Sequence, residues 1–246
     1  MSTPTSRHPA LPADLARWRK LMRAELIARR QALLPEQREA WTVSIGLFLM
    51  RSLPLRPGQT LGFCWPHQGE VDLRPLLPAL MARGVRCALP VVEQVAQALV
   101  FRAWAPGDEM AQGAMGIPQP VGTPAVNPDL LLIPLVGFGR AGDRLGYGGG
   151  YFDRTLAAAD PRPLAVGVGF EFAQIDSSFP QAHDIALDAV VTEQCLRWRD
   201  PGGLRVVDAQ QLRERLADLA EVRGQVARLN AHTVPGVPGL NLGPAR

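Results

Sequence analysis

Lysine is almost missing from this chain. Of its 26 basic residues one is a lysine, Lys20, and the others are arginines. A site that needs a lysine has that single residue to draw on. A phosphate loop of the GxxxxGK[ST] type is excluded, because no lysine follows Lys20. Cysteine is scarce too. Cys64, Cys87 and Cys195 lie far apart without CxxC spacing, which argues against a zinc site and a disulfide framework. Excess charge is also lacking, with a net charge of +3. A dedicated nucleic-acid binder carries a concentrated basic patch, so nucleic acid is not expected as a partner. No apolar run is long enough to span a bilayer, so no membrane association is expected. The opening "MSTPTSRHPALPADLARWRK" holds no continuous apolar segment of the secretory kind. The expectation is a cytoplasmic protein with reduced thiols, a monomer or weak dimer.

What is present suits an enzyme-sized domain. The chain has 246 residues, 47% hydrophobic and 20% charged, enough for a sizeable core. Residues 1–13 are proline-rich and polar, and are expected to lack order. From Asp14 the spacing of Leu15, Trp18, Leu21, Met22, Leu26 and Ile27 predicts a helix. Arg19, Arg23 and Arg30 fall largely off that stripe and read as a solvated face. Pro35 suits the first turn of a second helix reaching about Leu53. Strands are predicted over 60–65, 85–92, 98–104, 129–136, 163–170 and, last and shorter, 187–192. Helices are predicted over 71–84 and about 151–159. Residues 113–128 are too rich in glycine and proline to be regular. This alternation predicts a three-layer α/β/α fold with a mainly parallel sheet, as one domain over 14–200. Residues 201–246 read as a surface helix followed by a flexible tail.

The segment "GDRLGYGGGYFDR" (142–154) concentrates glycine beside charge. It follows an apolar strand, and ligands of parallel sheets bind beyond the strands' carboxyl ends. Just upstream, "GFGRAG" (137–142) matches the dinucleotide fingerprint GxGxxG. That fingerprint needs a helix to begin within it, and "DRLGYGGG" intervenes. The remaining "RLGYGGGYFD" suits phosphate. Glycines let backbone N–H groups approach an anion, and a helix starting near Tyr151 adds its positive end. Arg144 would bridge phosphate oxygens, and Asp153 would hold a Mg²⁺ shared with them. The alternative is a tight turn with Arg144 and Asp153 as a surface ion pair.

The run "PLVGFGRAGDRLGYGGGYFDRTL" resembles the signature of the 5-formyltetrahydrofolate cyclo-ligases, also called methenyltetrahydrofolate synthetases. "RKLMR" (19–23), "WPHQGEVD" (65–72), "MGIPQP" (115–120) and "HDIALDAVVTE" (183–193) resemble further segments of that family in the same order. The resemblance implies an ATP-dependent enzyme that converts 5-formyltetrahydrofolate to 5,10-methenyltetrahydrofolate, through phosphorylation of the formyl oxygen. It implies that Arg19, Lys20, Leu21, Met22 and Arg23 reach ATP. It places Arg144, Leu145, Gly146, Tyr147, Gly148, Gly149, Gly150, Tyr151 and Phe152 around the phosphates. Arg144, Tyr151 and Asp153 would border the reacting group, and Asp153 with Asp188 would hold Mg²⁺. Trp65 and Glu70 would bind the folate. The chain departs from the pattern at Arg19, where the family usually has lysine, and at Phe152, the second aromatic of the motif.

Overall fold

The computed structural model describes residues 11–232. The expected unstructured ends, 1–13 and the tail from 230, fall largely outside that span. Helix α1 (Leu15–Gln31) begins where the carboxylate of Asp14 accepts the Arg17 N–H at 2.9 Å. Helix α2 (Pro35–Ser52) takes Pro35 in its first turn, as expected. Strand β1 (Thr60–Gly62) follows. A 3₁₀ turn, Arg74–Leu76, leads into α3 (Leu77–Met81), shorter than predicted. Then come β2 (Arg86–Val91) and β3 (Val100–Trp104). The glycine- and proline-rich stretch expected to be irregular contributes to a small hairpin, β4 (Met110–Gln112) with β5 (Pro118–Pro120). Strands β6 (Leu130–Pro134), β7 (Gly137–Gly139) and β8 (Arg144–Leu145) precede α4 (Tyr151–Ala158). Strands β9 (Leu164–Val168), β10 (Gln174–Ile175), β11 (Ala189–Val191), β12 (Leu196–Asp200) and β13 (Gly203–Val207) lead to α5 (Ala209–His232).

The main sheet has eight strands in the order β13-β12-β11-β9-β6-β1-β2-β3. Its five central strands are parallel, and antiparallel strands extend both edges. The alternation of side chains across the sheet builds two cores. From β6, Leu130 and Leu132 join one core while Leu131 and Ile133 join the other. The first core is closed by α2, α3 and α5, and the second by α4 and the loops around it. The α/β class and mainly parallel sheet match the expectation.

Two expectations fail beyond residue 193. The hairpin β12–β13 was not foreseen, because arginines interrupt its apolar pattern. Arg197 is 7% exposed and is tied to Glu171, so a charged residue occupies an inward position. The turn is tight, with Asp200 Oδ1 accepting the Gly202 N–H at 2.7 Å. Helix α5 is not a surface appendage either. Leu212 and Leu216 are fully buried in the first core.

"GFGRAG" is not a dinucleotide fingerprint. Its first glycines form β7, which pairs with β8 and β10 in a small separate sheet. The next helix does not start until Tyr151.

Candidate active site

A cleft of about 240 Å³ opens at the carboxyl ends of β1, β2 and β6, reached through Trp65, Pro90 and Pro134. This is the edge where parallel sheets bind ligands. The glycine loop forms one wall, α1 another, and the segments around residues 64–70 and 114–119 a third.

The glycine loop ends in helix α4 in a specific way. Gly150 caps α4 with φ +63°, and no side chain caps the helix. The first-turn N–H groups therefore have neither an intrahelical acceptor nor a capping oxygen. They face the cleft with a partial positive charge, as an anion site requires. Gly148 also has positive φ, at +96°. A side chain there would begin 3.3 Å from the Arg23 guanidinium, so this position is restricted by conformation and by space.

Arg144 and Asp153 meet inside the cleft rather than on the surface. Arg144 Nη2 donates to Asp153 Oδ1 at 2.6 Å, with side-chain exposures of 7% and 18%. Arg144 Nη1 also donates to the Ile185 carbonyl, and the Ile185 N–H donates to Asp153 Oδ1 at 2.9 Å. One oxygen of Asp153 is thus committed within the protein, and Oδ2 is the oxygen left to accept a hydrogen bond or ligate a cation. Among the described residues no group of three His, Cys, Asp or Glu could hold a metal ion. A cation bound here would complete its shell with phosphate oxygens and water, the usual habit of Mg²⁺.

Helix α1 brings two arginines to the cleft. Arg19 donates to the carbonyls of Ser178 and Phe179 and to Asp184 Oδ2, at 3.1, 2.7 and 3.0 Å. Arg23 Nε donates to the Gly146 carbonyl at 2.6 Å. Burial and the neighbouring Arg19 charge lower the Arg23 pKa. Lys20 and Leu21, by contrast, are exposed and do not line the cleft. Met22 packs against the small core of Leu26, Val136 and Leu145. Of the five residues of "RKLMR" expected to reach ATP, Arg19 and Arg23 line the cleft and the other three do not.

Glu70 sits on a tight turn, His67–Glu70, closed by a 3.1 Å hydrogen bond from its N–H to the His67 carbonyl. The central residues Gln68 and Gly69 have φ of +49° and +79°, as in a type I′ turn. The Glu70 side chain is buried. Oε2 accepts the His67 N–H at 3.0 Å, and Oε1 accepts the Tyr147 hydroxyl at 2.7 Å. Arg30, also buried, lies 3.9 Å from Oε1 and donates to the Tyr147 hydroxyl at 2.7 Å. Desolvation raises the Glu70 pKa; the Tyr147 hydrogen bond and the Arg30 charge oppose the rise. Burial beside Glu70 holds Cys64 as a thiol, with its pKa pushed well up. Trp65 lines the same pocket. The Arg74 guanidinium covers its ring at 4.5 Å, and Trp104 meets it edge-on.

Asp188 is not brought to this site. It precedes β11, at the amino ends of the parallel strands, on the opposite edge of the sheet. Its carboxylate is almost fully buried and accepts Arg223 in two hydrogen bonds, at 2.6 and 2.9 Å. Arg162 and the Ala165 N–H bind it as well, at 3.3 and 2.8 Å. A saturated carboxylate on the far edge cannot join Asp153 around one ion.

The model of the 5-formyltetrahydrofolate cyclo-ligase family matches residues 16–193. The chain belongs to that family. It is 32% identical to the 5-formyltetrahydrofolate cyclo-ligase of Escherichia coli strain K12, over 67% of this chain and 94% of that one. Identity to the Haemophilus influenzae enzyme of the same name is 27%, over 69% and 94%. Among solved structures it resembles the 5,10-methenyltetrahydrofolate synthetase of Aquifex aeolicus. There the TM-score is 0.63 at 30% identity, covering 77% of this chain and 96% of that one.

Within this cyclo-ligase fold, sequence reasoning missed two roles. Arg30 was read as a solvated arginine, yet it is 4% exposed and anchors the Glu70 pocket through Gln68, Leu135 and Tyr147. Its signal was available. Residues 19, 23 and 30 fall within about 40° of one another around a helix of 3.6 residues per turn, so they share one face. Tyr147 was grouped with the phosphate contacts, but its hydroxyl points to Glu70 and Arg30.

Proposed function

We propose that the chain uses ATP to convert 5-formyltetrahydrofolate to 5,10-methenyltetrahydrofolate, with ADP and phosphate as the other products. The observation that carries this reading is a juxtaposition. A glycine-cradled, uncapped helix N-terminus with Arg144 and Asp153 lines the same cleft as a buried carboxylate, Glu70. The first set suits a triphosphate, and the second suits the paired N–H donors of a pterin.

The chemistry needs both ligands in contact. An amide oxygen leaves poorly until it is phosphorylated. The formyl oxygen attacks the γ-phosphorus, and the bond to the ADP oxygen breaks. The other folate nitrogen then attacks the formyl carbon and loses its proton. The C–O bond breaks, and the oxygen departs as part of inorganic phosphate. Phosphoryl transfer asks the protein mainly for positioning and charge neutralisation. The N–H groups of residues 148–152 would hold phosphate oxygens. Arg144, held by Asp153 and the Ile185 carbonyl, would steady the transferring group. Arg19 and Arg23 would face the phosphates from α1. Asp153 Oδ2 would join a Mg²⁺ carried in with the nucleotide, and that ion would supply further charge neutralisation. Tyr151 opens α4 on the cleft side, beside the reacting centre. Glu70 keeps lone pairs for the pterin, since a carboxylate has roughly four acceptor sites and two are used.

The test is turnover. Purified protein with 5-formyltetrahydrofolate, Mg²⁺ and ATP should form the methenyl product, followed by its absorbance, with one ADP released per product. Absence of an ATP-dependent rise overturns the proposal.

A further inference from the structure

The two halves of the cleft are joined by one side chain. The chain has two tyrosines, and Tyr147 lies within the glycine loop, between Gly146 and Gly148. The flanking glycines meet Arg23, through the Gly146 carbonyl and by packing at Gly148. The Tyr147 phenol reaches the turn that carries Glu70. Its hydroxyl donates to Glu70 Oε1 and accepts from Arg30 Nη2, both at 2.7 Å. The His67 ring meets the Tyr147 ring at 5.8 Å, which limits the phenol from the turn that carries Glu70.

We propose that Tyr147 is a positioning residue that couples the two subsites: the loop that takes the nucleotide phosphates also sets Glu70 for the folate, so the two ligands bind cooperatively. The inference rests on the reading of Glu70 as the folate carboxylate and of residues 148–152 as the phosphate cradle. The physical argument is short. Seating the loop on phosphate restricts residues 146–150, and with them the phenol. A fixed phenol presents Glu70 in one rotamer with Oε1 oriented by a hydrogen bond. A folate that needs that rotamer then meets less disorder, and the coupling is reciprocal by linkage.

The groups facing Glu70 are Arg30 from α1, Tyr147 from the loop, His67 from its own turn and Cys64 from the segment that follows β1. Tyr147 and Arg30 both hold its pKa down against burial. Removing the hydroxyl therefore leaves Glu70 protonated to a higher pH.

The experiment compares native protein, Tyr147→Phe and Glu70→Gln. Dissociation constants for 5-formyltetrahydrofolate are measured by calorimetry, with and without Mg²⁺ and the β,γ-methylene analogue of ATP. In native protein the analogue should tighten folate binding by about fivefold or more. In Tyr147→Phe that factor should fall toward one, and the acid limb of kcat/KM for the folate should move to higher pH. A native factor near one overturns the coupling without any variant. An unchanged factor and acid limb in Tyr147→Phe overturn the role of the hydroxyl. If Glu70→Gln changes neither folate affinity nor the acid limb, the folate reading of Glu70 fails first, and the coupling fails with it.

Discussion

At the scale of single residues, the cleft separates side chains that neighbour one another in sequence. Arg19 and Lys20 differ by about 100° around α1. Arg19 enters the cleft and Lys20 faces solvent. Replacing Arg19 by alanine should therefore raise the KM for ATP about tenfold, the loss of a hydrogen bond to a charged group. Replacing Lys20 should leave that KM within about twofold, and steady-state kinetics in varied ATP separates the two. Arg144→Ala should lower kcat by about a hundredfold, in the range for losing a preorganised charge at a developing anion. A circular-dichroism spectrum checks that the variant is folded. Glu70→Gln should raise the KM for the folate and leave the KM for ATP in place. These roles were unequally legible. The phosphate role proposed for the glycines and Arg144 is legible from their own chemistry. Glu70, taken alone, is an unremarkable acid, and only resemblance to a family singled it out. Arg30 was obscured because a buried arginine reads as an exposed one until its partners, Tyr147 and the carbonyls of Gln68 and Leu135, are in place.

At the scale of elements, the caps and the two-residue period carried most of the prediction. Asp14 and Pro35 marked the starts of α1 and α2 because each satisfies a local geometric need that any context preserves. Strands β6 and β9 were legible as continuous apolar runs because both of their faces are covered. The β12–β13 hairpin was not, because its inward Arg197 is neutralised by Glu171, a residue 26 positions away. Helix α5 was misjudged for the same kind of reason. Its apolar stripe was visible, but its docking on α2 and its ion pair with Asp188 are long-range. That pair gives a clear prediction. Arg223→Met leaves the buried Asp188 carboxylate with the Ala165 N–H and the more distant Arg162 as its partners, and should cost about 3 kcal/mol, read from denaturant unfolding. Asp188→Asn should keep kcat near native per folded molecule, because Asp188 lies outside the cleft. A large fall in kcat with the fold intact would return Asp188 to the site.

At the scale of the whole molecule, the sheet separates two tasks. Its carboxyl edge holds the cleft, and its amino edge holds the Asp188 pairs that fasten α5. The region matched by the family ends at residue 193, yet β12 pairs with β11 and α5 supplies two fully buried leucines. A chain ended after Glu193 should thus lose cooperative unfolding, since each buried leucine is worth about 2–5 kcal/mol. A truncated chain that melts like the native one would show that these elements only decorate the fold. The central claim concerns the other edge: one cleft brings the formyl oxygen of the folate to the γ-phosphate of ATP. The most direct measurement follows that oxygen. 5-Formyltetrahydrofolate labelled with ¹⁸O in the formyl group is turned over with ATP in unlabelled water, and the released phosphate is examined by phosphorus NMR. The account predicts that the label appears in inorganic phosphate, one atom per methenyl product. Unlabelled phosphate, with the label passing to water, would contradict it.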